Sequence, residues 1–238
     1  MPIKVLSTSG RAGKPIEAKD LQSSGFGLDF ANWLPYAAEC YNISPDPKDY
    51  LLYPVPILYS DIPNRNGIAM PISELVAWNR DRGCQAYMTW NGMPMFEEHR
   101  SDKTSDKKSE EERLLKNALG VIADVSLRRI NGFGNGQFWK VMALAALDRS
   151  KGAPYVELVQ AGKLNSYSMG AMVDSWSCSY CGAGEGECSH IDPEKQVVFY
   201  EINGRLVYKN VHGINAYELS LVKDPAYATA FSDLLIQF

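Results

Sequence analysis

The sequence predicts an α+β domain: a β-rich body with a few helices packed around it. Three observations lead there. Short segments rich in β-branched and aromatic residues recur along the chain, among them Leu51–Tyr59, Gly120–Arg128, Phe138–Leu147 and Ala216–Val222. An Asn203-Gly204 pair joins two more, Val197–Ile202 and Arg205–Lys209, as a two-residue hairpin turn requires. Helical signals are confined to a few short stretches. With 238 residues, 45% of them hydrophobic, the chain suits one domain of generous size with a real core.

In chain order, residues 1–30 are rich in Ser, Gly and Lys without sustained periodicity and read as a flexible arm. Residues 31–238 form the domain proper. Leu51–Tyr59 is apolar, but Pro54 and Pro56 each remove an amide donor, so it belongs at a sheet edge. Ile62–Gly67 has turn composition. Pro71–Arg82 reads as a helix, with Pro71 in its first turn and Gly83 just past its end. Ser101–Glu112 is charged with both signs mixed, which describes a solvated loop, or a flap beside a site because it follows His99 closely. Strands are expected at Gly120–Arg128 and Phe138–Leu147. A helix follows at Pro154–Gly162, with Gly162 as its stop. Asn165–Ser175 is strand-like, the hairpin comes next, and Ala216–Val222 is a strand closed by Pro225. Tyr227–Phe238, with apolar positions three to four apart, reads as a terminal helix.

The formal net charge of −4 argues against a body built to neutralise phosphates. No window approaches the roughly 18 consecutive apolar residues of a membrane helix, and Met1–Gly10 has no apolar core of the kind a secretory signal carries. A soluble protein of the cytoplasm is expected. The cysteines agree: Cys40 and Cys84 are isolated, whereas Cys178, Cys181 and Cys188 crowd together with His190 directly behind, unlike an extracellular disulfide framework.

Cys178-x2-Cys181-x6-Cys188-x-His190 offers three thiolates and an imidazole, and Gly182, Gly184 and Gly186 let the chain fold back. Four such ligands in a tetrahedron make a structural zinc site with no position left open for catalysis. The other reading is a chance cluster of reduced thiols. A segment this polar cannot build its own core, so metal would supply its folding free energy. Ser177–Ile191 contains Glu185 and Glu187 and no Lys or Arg, which argues against a nucleic-acid-binding knuckle.

With His190 assigned to metal, His99 and His212 are the imidazoles left to act as a base. A nucleophilic serine needs such a base, and the base an orienting partner. Ser166-Tyr167-Ser168-Met169-Gly170 enters a strand after the Gly162 stop, and Gly170 permits close approach of backbone or substrate. The same residues also fit an ordinary turn-to-strand junction.

Four ordered stretches bear on that choice: Pro94–His99 (PMFEEH), Gly120–Asp124 (GVIAD), Gly162–Gly170 (GKLNSYSMG) and Tyr217–Ala226 (YELSLVKDPA). Together they resemble the histidine, following-strand, nucleophile and acidic-strand segments of the prohead (capsid-maturation) serine proteases of tailed bacteriophages. The resemblance spans about residues 50–230. It implies a herpesvirus protease-like fold, a β-barrel-like sheet flanked by helices, here carrying an inserted zinc knuckle and β-hairpin over 176–210. It implies Ser168 as nucleophile, with Ser166 its nearby competitor, His99 as general base and Glu218 as the residue orienting it. The insertion lies between nucleophile and acid, and His212, close to Glu218, is the alternative third member. The implied substrates are scaffold and major capsid proteins and the chain itself, inside an assembling procapsid in the host cytoplasm, with self-association in the procapsid core. The alternative reading is a non-catalytic, zinc-binding procapsid core or scaffold protein on a protease-like fold.

Overall fold

The computed structural model describes residues 3–6, 26, 30–97, 115–131, 137–164, 167–191 and 200–222. Its main element is a seven-stranded sheet. The strands are β1 (Ile3–Leu6), β2 (Tyr50–Tyr59), β6 (Pro94–Glu97), β7 (Gly120–Asn131), β8 (Gln137–Asp148), β9 (Tyr167–Val173) and β14 (Asn215–Leu221). Three short strands fall between β2 and β6: β3 (Ile68–Ala69), β4 (Trp78–Asn79) and β5 (Cys84–Gln85). Four more fall between β9 and β14: β10 (Ser175–Cys178), β11 (Tyr200–Ile202), β12 (Arg205–Val207) and β13 (Lys209–His212). Among the described residues the α-helices are α1 (Phe30–Tyr41), α2 (Ile72–Val76) and α3 (Ala153–Gln160).

The order across the large sheet is β1-β9-β14-β6-β7-β8-β2, antiparallel throughout except for the β6–β14 pair. β2 lies at an edge, where Pro54 and Pro56 leave no central ladder short of donors. Its register against β8 runs from Tyr50↔Asp148 to Tyr59↔Lys140 and shifts between Pro56 and Leu58. Strand alternation sorts the side chains onto two faces. Tyr53, Val55 and Ile57 join Val141, Ala143, Ala145 and Leu147 in the larger core. Val121, Ala123, Met142, Leu144 and Ala146 face the other way, beneath Phe30, Leu34, Ala37 and Ala38 of α1. Those helical positions recur at the spacing of one apolar stripe.

The sheet curls. Tyr53 on edge strand β2 meets Tyr167 on β9 with ring centroids 5.9 Å apart, although four strands separate β2 from β9 in the order. Burial pushes both phenols well above their usual range. Mixed sheets, a curled half-barrel and few helices make this an α+β fold.

Several expectations hold. α3 begins with a proline in its first turn and is stopped by Gly162 at φ 66°. Asn203 (φ 51°) and Gly204 (φ 74°) form the left-handed pair of a type I′ turn between β11 and β12. One needs correction: the helix expected over Pro71–Arg82 ends at Val76. Ala77 is extended, and Trp78–Asn79 pairs back onto Cys84–Gln85 as a small hairpin. The Asn79 side chain is the cause, because Arg82 N donates to its Oδ1 (3.0 Å) while Gly83 N donates to its carbonyl (2.9 Å). That local turn competes with helix, and Gly83 (φ 64°) closes it. The second hairpin strand, expected to reach Lys209, ends at Val207. Lys209–His212 pairs instead with β10, and β3 adds in parallel on its other side. The Ser101–Glu112 and Tyr227–Phe238 expectations lie outside the described residues, as does most of the expected arm. Ile3–Leu6 of that arm pairs with β9.

β9 and β14 are direct neighbours, yet the chain between them leaves the large sheet to build the β10-β13-β3 sheet and the β11–β12 hairpin. No helix among the described residues is long and apolar enough to cross a membrane.

Candidate active site and metal centre

The register between β9 and β14 sets the first site. Ser168 lies opposite Ser220, Met169 opposite Leu219 and Gly170 opposite Glu218. Met169 and Leu219 point into the larger core. Alternation therefore puts Ser168, Gly170, Glu218 and Ser220 together on the reverse face. On the far side of β14, Phe96 of β6 is the partner of Ser220. A bulge between Ala216 and Glu218 brings Tyr217 to this face as well. Gly170 is required there: a Cβ on it would meet the Tyr217 ring, with Cε2 at 2.6 Å, and Glu218 Cγ at 2.7 Å. The glycine of the Ser-x-Gly motif thus makes room for the carboxylate side chain across the strand.

The face is sealed. Ser168 is 1% exposed, and Ser220 and Glu218 are 0% exposed. Directly opposed residues of an antiparallel pair have Cβ atoms about 5 Å apart, so the two hydroxyls are near neighbours. Each is nevertheless buried without a hydrogen-bond partner among the described residues. Leaving such a hydroxyl unpaired costs on the order of 1–3 kcal/mol, and in native proteins a group of this kind calls for an explanation. Ser168 and Glu218 are brought onto one face of adjacent strands. His99 and the competitor Ser166 lie outside the described residues. His99 follows Glu97, the last residue of β6, by two positions in sequence.

His212, the alternative third member, is engaged elsewhere. Its Nε2 lies 2.9 Å from Ser177 Oγ and its Nδ1 3.1 Å from Glu74 Oε1. Glu74 Oε2 also accepts from Gly213 N at 3.2 Å. Three elements are thereby joined: α2, β10 and β13. Sequence reasoning missed Ser220, Ser177 and Glu74. The Glu218-Leu219-Ser220 triplet carried a signal for Ser220, since positions two apart share a strand face. Nothing local marks Glu74 or Ser177.

The second cluster is Cys178, Cys181, Cys188 and His190, whose ligand atoms all lie within 4.8 Å of one another and could hold a metal ion. Cys181 Sγ and Cys188 Sγ are 3.6 Å apart, and Cys188 Sγ is 3.8 Å from His190 Nδ1. These separations are far too long for a disulfide. A tetrahedral zinc with bonds of about 2.3 Å to sulfur has ligand–ligand edges of about 3.8 Å, so the donor set fits that ion. Backbone amides steady the sulfurs: Tyr180 N donates to Cys178 Sγ (3.4 Å) and His190 N to Cys188 Sγ (3.3 Å). The turn itself is held by Gly182 N to the Cys178 carbonyl and Cys178 N to the Ala183 carbonyl. Tyr200 donates its hydroxyl to the His190 carbonyl, and the Tyr180 ring lies 4.8 Å from the imidazole. Hydrogen bonding from the Ala183 backbone, then from His190, brings the Cys181 thiol down to about 7, whereas burial pushes Cys188 up. The cysteines are unpaired thiols.

Fold and site together define an α+β protein with a buried serine–carboxylate face and a separate Cys3His cluster. No family model matches the sequence, and no curated protein matches it. Among solved structures, the chain is similar to the capsid assembly protease gp21 of bacteriophage T4, with probability 1.00 and a TM-score of 0.42. Identity is 13%, over 94% of this chain and 99% of that one.

Proposed function

We propose that the chain is a serine endopeptidase of phage head maturation, with Ser168 as nucleophile, His99 as general base and Glu218 as the group that orients it. The observation that carries this reading is the buried Ser168 hydroxyl, without a hydrogen-bond partner among the described residues, sharing one face of adjacent strands with the Glu218 carboxylate. The ordered motifs in the sequence add the imidazole, since β6, the strand beside β14, ends at Glu97, two positions before His99 in sequence. His99 takes the Ser168 proton as the hydroxyl attacks a peptide carbonyl, then returns a proton to the leaving amine. The resulting acyl-serine is hydrolysed by water. Glu218 holds the imidazole tautomer and stabilises the imidazolium.

Ser168 at 1% exposure meets a substrate chain only after its face opens, so the enzyme is latent in this form. Latency suits a protease assembled among its own substrates, the scaffold and capsid proteins of an immature head. Cys178, Cys181, Cys188 and His190 hold a structural zinc ion, which staples the excursion between β9 and β14 and leaves the reaction to the serine. The test is co-expression with scaffold and major capsid proteins, reading fragments by mass spectrometry. Wild type is expected to process both. Ser168→Ala and His99→Ala are expected to process neither while retaining zinc. Equal processing by wild type and Ser168→Ala contradicts the nucleophile assignment, and no processing by wild type favours a core protein without protease activity.

A further inference from the structure

The Ser177–His212–Glu74 chain has the connectivity of a hydrolytic relay, and it belongs to no part of the site already described. Ser177 Oγ is 2.9 Å from His212 Nε2, and His212 Nδ1 is 3.1 Å from Glu74 Oε1. A carboxylate on Nδ1 fixes that nitrogen as the protonated one, which leaves the Nε2 lone pair facing the serine hydroxyl. Glu74 is itself anchored, since Gly213 N donates to its other oxygen at 3.2 Å.

The relay is reachable. The side chains of His212 and Glu74 are 37% and 24% exposed, and Ser177 is half-buried, in contrast to the sealed Ser168. The register places an amide side chain opposite Ser177. Ser177 lies opposite Asn210 and Ser175 opposite His212. Trp176, Cys178 and Val211 turn into the core, so Asn210 and His212 share the outer face with Ser177. Asn210 thus offers a side-chain amide beside the hydroxyl.

We propose that Ser177 is a second nucleophilic serine, with His212 its base and Glu74 the positioning residue, acting on small activated carboxylic esters independently of Ser168. Ser177 Oγ bonds to the ester carbonyl carbon as its proton passes to His212 Nε2. The alcohol leaves with that proton, and water hydrolyses the acyl-serine and restores the hydroxyl.

The test uses the full chain with an alkyl fluorophosphonate, whose P–F bond is broken as Ser177 Oγ bonds to phosphorus. Adducts are located by peptide fragmentation, and p-nitrophenyl acetate turnover is followed in parallel. The expected result is an adduct on Ser177 in both wild type and Ser168→Ala. Ser177→Ala abolishes it, and His212→Asn slows it about 100-fold, within the range for loss of a general base. Glu74→Gln slows it about 10-fold at unchanged melting temperature and zinc content, and Glu74→Asp restores part of the rate. No adduct on Ser177, or labelling that is indifferent to Glu74→Gln and to His212→Asn in folded protein, overturns the proposal. Should His212→Asn fail to fold, the Ser177→Ala and Glu74→Gln results decide.

Discussion

Replacing Gly170 with alanine tests the central geometry without touching any proposed reacting group. A Cβ at this position would lie 2.6 Å from Tyr217 Cε2 and 2.7 Å from Glu218 Cγ. Unstrained carbon contacts sit at about 3.5–4.0 Å, so each neighbour must retreat by about 1 Å. Glu218 has no room nearby, because it is fully buried and is pinned in a central strand pair, whereas Tyr217 is half-buried. Overpacking of this kind costs about 1–3 kcal/mol, offset by about 0.5–1 kcal/mol because alanine loses less backbone entropy than glycine. A net loss of up to about 2.5 kcal/mol corresponds to a melting temperature lower by up to about 10 °C in a chain of this size. The functional loss is larger. Displacing an orienting group by about 1 Å costs on the order of 100-fold in rate, so scaffold processing should fall far more than stability does. Circular-dichroism melts and a fragment time course measure the two effects on one preparation. A Gly170→Ala protein that melts and processes like wild type would refute the packing of Glu218 against position 170.

The remaining predictions concern the metal and the pH response. Purified protein should carry about one zinc ion per chain by elemental analysis, as four soft donors in a tetrahedron require. Cys181→Ser or prolonged chelation should remove it and lower the melting temperature; metal-free wild-type protein with an unchanged melt contradicts the staple. Burial pushes the Tyr41 phenol up to about 12, with a smaller contribution from Cys40, while its hydroxyl donates to the Gly92 carbonyl at 3.0 Å. The fold therefore prefers the neutral phenol. Its contribution is complete below the unfolded value near 10 and drains away as pH rises through about 12. Urea midpoints between pH 9 and 12 should fall less steeply in Tyr41→Phe than in wild type, and parallel curves contradict that assignment.

The legible parts of the fold were those written locally. Two prolines in an apolar run marked β2 as an edge, Asn203-Gly204 marked a turn, and Gly162 ended α3, because each acts on its own backbone. α1 went unread because Pro35 sits inside it, although Asp29 directly before Phe30 and Asn42 (φ 54°) directly after Tyr41 are boundary residues of the usual kind. The overlong helix at Pro71–Arg82 failed on one side chain, the Asn79 amide that captures the Arg82 amide. The β10-β13-β3 sheet is built from strands of two to four residues paired over long distances, and segments so short carry almost no periodicity. The candidate site divides the same way. The Cys3His spacing and the Ser-x-Gly and Glu-x-Ser patterns are local. Only the β9–β14 register sets Ser168 against Ser220, and only tertiary packing brings Glu74 to His212.

The most direct measurement is the identity of the residue that carries the acyl group. Protein mixed with its scaffold substrate is quenched in acid during turnover and mapped by peptide fragmentation. The expected result is a scaffold fragment in ester linkage to Ser168, absent from Ser168→Ala and unaffected by Ser177→Ala. A fragment on Ser177 or on any other side chain, or cleavage that persists in Ser168→Ala, contradicts it.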